Sequence, residues 1–227
     1  MLQSPEVADA YDSLLGSLRL AGPLVSGNSV LVTSTEPGEG KTTVSLCLAM
    51  TAAQAGQTAL LIDGDLRRAS LAAALGGADT AGLIEILLGQ ADAAEAISPV
   101  AALADSAGPG AVSFMPGGHK PALSLGAVDW AKARVAFKSL SQAFGVVFLD
   151  SPPILAVNDA LLFAGIVDAV LLVVGAGKAN LDEVRRAKEQ LDAIGTPILG
   201  AVLNRFVPEV HGRSNRPYSA YYRGART

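Results

Sequence analysis

Cysteine is nearly absent: Cys47 is the single one in 227 residues, so no disulfide can close within the chain. A lone thiol inside an apolar pattern reads as a small buried hydrophobe and suits a reducing cytoplasm. Positive charge is not in excess either. Seventeen Lys and Arg face 21 Asp and Glu, and the net charge of −4 argues against a nucleic-acid partner. No apolar run is long enough to cross a membrane. The most apolar stretch, 160–177, is interrupted by Asp168 and falls short of the roughly 20 residues a span needs. Residues 1–10 contain Glu6 and Asp9 and no apolar segment, so no secretory leader is expected. The two histidines, His119 and His211, sit in no metal-ligand spacing, and no Ser/His/Asp order suggests a nucleophilic triad.

Half of the residues are apolar, enough for a sizeable core, and the length fits one α/β domain with short tails. Strands are expected at 29–33, 58–62, 111–115, 146–149, 169–174 and 198–203. Helices are expected at 41–55, 67–75, 82–88, 123–143, 158–164 and 180–194. The strands are continuous apolar runs such as Ala59-Leu60-Leu61-Ile62, which suit a mostly parallel sheet covered on both faces. Alternation of strand and helix predicts a doubly wound α/β sheet, with ligands at the carboxyl ends of the strands. Residues 98–110 read as a small-residue loop. An earlier helix over 5–20 follows from Ser4-Pro5 and the spacing of Val7, Ala10, Tyr11, Leu14, Leu15 and Leu18. It is either a covering helix or an arm for a partner. The organisation expected is an N-terminal arm over 1–22, a nucleotide-binding core over 23–207 and a flexible tail over 208–227.

The stretch on which function turns is Thr33-Ser34-Thr35-Glu36-Pro37-Gly38-Glu39-Gly40-Lys41-Thr42-Thr43. It leaves a buried strand and enters a helix, the context of a phosphate-binding loop. Gly38 and Gly40 let backbone N–H groups turn inward on a phosphate, and the helix opening near Lys41 adds its own N–H groups. Lys41 would reach the β- and γ-phosphates and the Thr42 hydroxyl would ligate Mg²⁺. The first glycine of G-x-x-x-x-G-K-[ST] is replaced by Thr35.

Two further strands run into acid. Leu60-Leu61-Ile62 leads to Asp63-Gly64-Asp65-Leu66-Arg67, and Val146-Val147-Phe148-Leu149 leads to Asp150-Ser151-Pro152-Pro153. Asp150 fits the carboxylate that partners Mg²⁺, directly or through water. Asp63 or Asp65 could take a proton from an attacking hydroxyl. Asp65 is also placed to cap a helix opening near Arg67. His119 follows a glycine turn and reads as a solvated loop residue rather than a proton shuttle. Asn204 ends the last strand and either reads an adenine edge or serves the turn.

Aromatic placement is uneven. Of four tyrosines, Tyr218, Tyr221 and Tyr222 lie in the last ten residues, among Arg213, Arg216, Arg223 and Arg226 and with no acid after residue 210. Asn215, Pro217 and Gly224 favour disorder there. The segment is a phosphoacceptor, or a basic aromatic tail that docks on a partner or anionic lipid.

Together these stretches resemble the bacterial tyrosine kinases of capsule and exopolysaccharide synthesis. Residues 34–42 match the family's Walker A loop, 60–68 its Walker A′ pattern D-x-D-x-R, and 146–153 its Walker B pattern D-[ST]-P-P. Ile198–Asn204 and the terminal tyrosines also match. The resemblance implies a P-loop fold of the partition-ATPase-like superfamily and an ATP- and Mg²⁺-dependent autokinase. Its nucleotide would be bound by residues 36–43 with Arg67 and Asn204. Lys41 and Thr42 would hold phosphates and metal, Asp63 would be the base, and Asp65 and Asp150 would arrange the metal. Subunits would associate through the nucleotide face, the tail of one feeding a neighbour's site. A membrane polysaccharide co-polymerase would activate the kinase through its cytoplasmic end and hold it at the inner face of the membrane, and a tyrosine phosphatase would oppose it.

The chain departs from the family at E-x-x-R-x-x-R, which aligns with Asp9, Asp12 and Leu15, so both ring-forming arginines are missing. It departs again at the proline-rich loop, here Pro116-Gly117-Gly118-His119-Lys120-Pro121. Two rival readings remain. One is a partition-type ATPase, which would carry an extra lysine where Glu36 stands. The other is a nucleotide-binding regulatory subunit of a polysaccharide export complex with little kinase activity.

Overall fold

The computed structural model describes residues 4–21, 27–68, 70–75, 80–100, 108–119 and 125–207. Its centre is a sheet of seven strands: β1 (Asn28–Ser34), β2 (Thr58–Asp63), β3 (Ser98–Pro99), β4 (Ala111–Met115), β5 (Val146–Asp150), β6 (Ala169–Gly175) and β7 (Ile198–Asn204). The order across the sheet is β3-β4-β2-β5-β1-β6-β7. All pairings are parallel except β3 with β4. Helices α1 (Pro5–Ala21), α2 (Lys41–Gln54), α3 (Ser70–Leu75), α4 (Leu83–Leu87), α5 (Ala93–Ala96), α6 (Trp130–Gln142), α7 (Asp159–Ala164) and α8 (Leu181–Ile194) cover both faces.

The strands are apolar at every position because each face has its own core. Leu31, Leu60, Ile62, Val147, Leu149, Val170 and Leu172 point to one side and pack against α4, α6, α7 and α8. Val30, Val32, Ala59, Leu61, Phe148, Leu171 and Val173 point to the other and pack against α1, α2 and α3. A side-chain period of two in strands buried on both faces requires this. The doubly wound sheet expected from strand–helix alternation is present, with β5 inserted between β2 and β1.

Helix α2 is buried from Val44 through Ala53 because α1 lies over its outer side. Leu15 and Leu18 of α1 enter the second core, with Tyr11 and Leu14 packed beside them. The α1 helix is therefore a covering helix. Burial pushes the Tyr11 phenol up, and the phenol shares a hydrogen bond with the Cys47 thiol. Leu15 stands where the resemblance would put an arginine, and it is spent on packing.

Three expectations change. The long helix over 123–143 is cut: residues 125–127 form a 3-10 turn, and α6 starts only at Trp130. The Asp129 side chain accepts from Lys132 N, a cap that fixes the start there. The loop over 98–110 contains β3, a two-residue edge strand whose proline is tolerated because only one side is paired. The helix expected from 67 starts at Ser70, and residues 66–68 are a turn. Among the described residues, no helix is long and apolar enough to cross a membrane.

Leu18→Ala is expected to cost about 2–4 kcal/mol, as for other buried leucines, read as a lower urea midpoint with unchanged slope. Val7→Ala, at a side chain 38 % exposed on the same helix, should cost less than about 0.5 kcal/mol. Equal, negligible effects of both would mean that α1 does not belong to the core.

Candidate functional site

Between Ser34 and Lys41 the chain makes a tight turn at the carboxyl end of β1. Gly38 and Gly40 take left-handed backbone, with φ of 83° and 94°, which a side chain would strain. A Cβ on Gly40 would also stand 2.1 Å from Asn204 Nδ2. Residue 35 needs no glycine: among the described residues, Arg205 is the one non-glycine with positive φ. Thr35 instead donates its hydroxyl to Glu39 Oε2 at 2.8 Å.

Glu39 is the keystone of this turn. Its carboxylate is 1 % exposed. Oε2 also accepts from Glu36 N at 2.8 Å, and Oε1 accepts from Gly175 N at the end of β6, again at 2.8 Å. Asn204 Nδ2 donates to the Glu39 carbonyl at 2.8 Å. Glu39 and Asn204 thus brace the loop. Pro37, Gly38 and Thr43 are exposed on it, and Glu36 and Thr42 are partly so.

Inserting β5 between β2 and β1 sets Asp63 opposite Asp150 in register. Gly64 allows the close approach, since a Cβ there would lie 2.6 Å from the Asp150 carbonyl. Thr42 Oγ1 donates to Asp150 Oδ2 at 2.7 Å, and Ser45 Oγ to Oδ1 at 3.3 Å. Lys41 Nζ lies 3.7 Å from Asp65 Oδ2. Lys41, Thr42, Asp63, Asp65 and Asp150 are therefore neighbours on one rim. Burial pushes the Asp150 carboxyl up to about 7. The Lys41 ammonium and Thr42 hydroxyl pull it down, the Asp63 charge pushes it up, and Ser45 pulls it down. Burial also raises Asp63, against the backbone N–H groups it accepts.

Those N–H groups come from Asp65 (3.1 Å), Leu71 (3.2 Å) and Ala72 (3.3 Å). The aspartate that caps α3 is thus Asp63, not Asp65, because the helix starts at Ser70 and turns its first N–H groups back on the end of β2. Arg67 reaches across to Asp159 at the head of α7, with Nε 3.3 Å from Oδ2. His119 N donates to Glu85 Oε1 at 3.1 Å, and Glu85 Oε2 accepts from Gly82 N at 2.9 Å. The buried Glu85 was not foreseen. Its neighbour Leu83, in an apolar helix, gave no signal that the acid would turn inward. The tyrosines Tyr218, Tyr221 and Tyr222, with Lys120, Pro121 and His211, lie outside the described residues.

Among the described residues, no three His, Cys, Asp or Glu converge as a metal-holding group. The donors that do meet, the Thr42 hydroxyl and the Asp150 carboxylate, are hard oxygens. Such a pair fits Mg²⁺, which keeps several waters and takes one or two protein ligands beside phosphate oxygens.

The family model of the CobQ/CobB/MinD/ParA nucleotide binding domain matches residues 30–224. Tyrosine-protein kinase YwqD of Bacillus subtilis (strain 168) is 32% identical over 197 residues, covering 87% of this chain and 80% of that one. The kinase domain of the Escherichia coli tyrosine kinase ETK superposes with a TM-score of 0.75 at 28% identity, covering 88% of this chain and 78% of that one. The septum site-determining protein MinD of Pyrococcus horikoshii OT3, complexed with Mg-ADP, superposes with a TM-score of 0.64 at 27% identity, covering 86% of this chain and 76% of that one.

Two tests follow from this geometry. Glu39→Ala strands buried N–H groups of Glu36 and Gly175 and should cost about 2–5 kcal/mol in denaturant unfolding; Glu39→Gln, which keeps one acceptor, should cost less. The second concerns pH. Asp150 holds its proton to about pH 7 in the folded chain, whereas an unfolded aspartate releases it near 4. The folded state then binds more protons between those values, so this group's contribution to stability is present below about pH 4 and is lost as pH rises to about 7. Melting of the nucleotide-free protein should show this loss, and Asp150→Asn should remove it. An unchanged pH profile in the variant would place the titration elsewhere.

Proposed function

This chain belongs to the CobQ/CobB/MinD/ParA nucleotide-binding domain family and, within it, to the tyrosine-protein kinases; from that premise we propose that it transfers the γ-phosphate of ATP to Tyr218, Tyr221 and Tyr222 and so regulates synthesis and export of a polysaccharide. The observation that carries the reading is the meeting of Lys41 with Asp65 and of Thr42 with Asp150 on one strand-end rim.

Each side chain has a task in this reading. Within the loop over residues 36–43, the N–H groups from Gly38 to Thr43 would cradle the β-phosphate, since Pro37 has none and the Glu36 N–H is taken by Glu39. Lys41 exchanges its Asp65 partner for phosphate oxygens. Thr42 and Asp150 would hold Mg²⁺, with Asp63 and Asp65 beside it, and the ion would supply charge neutralisation for the phosphoryl group in transfer. Asp63 accepts the phenolic proton while its second task, capping α3, keeps it in place. Its raised pKa makes it the better proton acceptor. The tyrosine oxygen bonds to the γ-phosphorus, the bond to the β–γ bridging oxygen breaks, and ADP departs. Arg67 and Asn204 hold the nucleotide's surroundings through Asp159 and the Glu39 carbonyl.

The domain organisation proposed is a helical arm over 1–22, the kinase core over 23–207 and the acceptor tail beyond. Activation by the cytoplasmic end of a membrane co-polymerase, location at the inner membrane face, self-association through the nucleotide face and reversal by a phosphatase complete the proposal. Phosphorylation adds about −1.5 to −2 charges per tyrosine, enough to reverse the sign of a segment that carries four arginines after residue 210.

Incubating the purified chain with Mg-ATP, alone and fused to a co-polymerase cytoplasmic segment, and mapping phosphate by mass spectrometry tests the reading. Phosphate is expected on Tyr218, Tyr221 or Tyr222, and Lys41→Met should lower its incorporation at least about 100-fold. Bound nucleotide with unmodified tyrosines would identify a regulatory subunit. Free phosphate with unmodified tyrosines would identify a partition-type ATPase.

A further inference from the structure

We propose that Lys178 is a second phosphate-binding cation of the loop, directed at the terminal phosphate of a bound nucleoside triphosphate. The proposal rests on the nucleotide-site reading above and adds to it a residue outside the three strand-end motifs.

Lys178 lies on the turn that follows β6. That turn is tied to the phosphate loop: Gly175 N donates to Glu39 Oε1 at 2.8 Å, Ala176 N to the Asn204 carbonyl at 2.9 Å, and Lys178 N to the Gly175 carbonyl at 3.1 Å. Its backbone position is therefore set by the loop it faces. From there the side chain crosses to the crest of the loop. Nζ donates to the Pro37 carbonyl at 2.6 Å and stands 3.2 Å from where a Cβ on Gly38 would be.

Among the described residues, no carboxylate lies within 4 Å of this ammonium. The other described lysines, Lys41, Lys132, Lys138 and Lys188, each lie within 4 Å of an aspartate. Lys178 meets a carbonyl instead, and carbonyl contact uses one of its three N–H donors. Two donors remain for anionic oxygens at the same place.

Position decides which phosphate. Asp63, Asp65 and Asp150 follow β2 and β5, on one side of β1, and Lys41 turns to Asp65 there, while Lys178 comes from the turn after β6, on the other side. The two ammonium groups flank the loop. Lys41 stands at the head of α2, where the helix N–H groups gather. Lys178 stands at Pro37-Gly38, the exposed part of the loop, and a nucleotide whose inner phosphates sit on the α2 N–H groups would extend its terminal phosphate toward it. A compact ammonium there binds a terminal phosphate as a point charge.

Calorimetric titration of wild type, Lys178→Ala and Lys178→Arg with Mg-ADP and with a non-hydrolysable Mg-ATP analogue tests this, with melting temperatures recorded for each. Lys178→Ala should weaken the triphosphate analogue about tenfold, the size of one charge-assisted hydrogen bond. ADP affinity should stay within about twofold, and Lys178→Arg should restore the difference. Equal losses for both nucleotides would mean that Lys178 only pins Pro37, and no loss would mean that it is idle; either overturns the proposal. Wild-type chain that takes neither nucleotide overturns the nucleotide site itself, and this proposal with it.

Discussion

Negative charge kept out of water governs this rim. Asp63, Asp65 and Asp150 are 0 %, 2 % and 0 % exposed, and the one ammonium among them is Lys41. Desolvation is the largest influence on both Asp63 and Asp150, and it leaves Asp150 titrating at about 7. Buried carboxylates keep their charge only against cations or donors. A triphosphate brought to the same rim adds more charge of the same sign. Its binding therefore calls for positive charge beyond Lys41, which the proposed divalent ion on Thr42 and Asp150 and the proposed role of Lys178 would supply. The chemistry and the electrostatic need have the same origin.

That concentration of charge sits beside a loop braced at both ends. Its shape is held by a buried acid: Glu39 ties Thr35, Glu36 and Gly175 together. The loop is thereby joined to the end of β6, and through Asn204 to the end of β7. Three strand ends are locked to one turn of backbone. Thr35 is part of the same lock, so the missing first glycine is a substitution with a structural use: its hydroxyl supplies one of the donors that Glu39 accepts. Ser151 and Ile154 complete the frame from the β5 side, donating their N–H groups to the Val32 and Ser34 carbonyls.

Much of this was legible in the chain because strong local signals agreed. Apolar runs ending in acid placed β2 and β5, and the parallel doubly wound rule then placed their carboxylates beside the loop. What local pattern cannot carry is a partner chosen across the fold. Asp65 looked like the helix cap because it lies nearer to Arg67 in sequence, yet Asp63 receives the N–H groups of Leu71 and Ala72. Glu39 and Asn204 sit in the expected motifs, but the bonds by which they brace the loop, to Gly175 and to the Glu39 carbonyl, join residues far apart in sequence and leave no local signal. Asp129 stopped a helix that periodicity alone carried back to 123. Lys178 had no motif at all: it becomes visible only when the β6 turn is seen lying over Pro37.

The covering helix carries the last consequence. Tyr11, Leu14, Leu15 and Leu18 are turned toward α2, so one face of α1 is committed to the core. Asp9 and Asp12 are exposed on the rest of it. A neighbour approaching that face meets carboxylates where an arginine pattern would have offered cations, and the position of the second arginine is occupied by a buried leucine. Restoring that arginine at Leu15 would put a charge among apolar side chains at a cost no surface contact repays. The proposed self-association therefore gains nothing from this face of α1. The proposed docking of a second copy's arginine-rich terminus on the rim of strand ends draws instead on the buried acids Asp63, Asp65 and Asp150 and on the exposed loop residues Pro37 and Gly38.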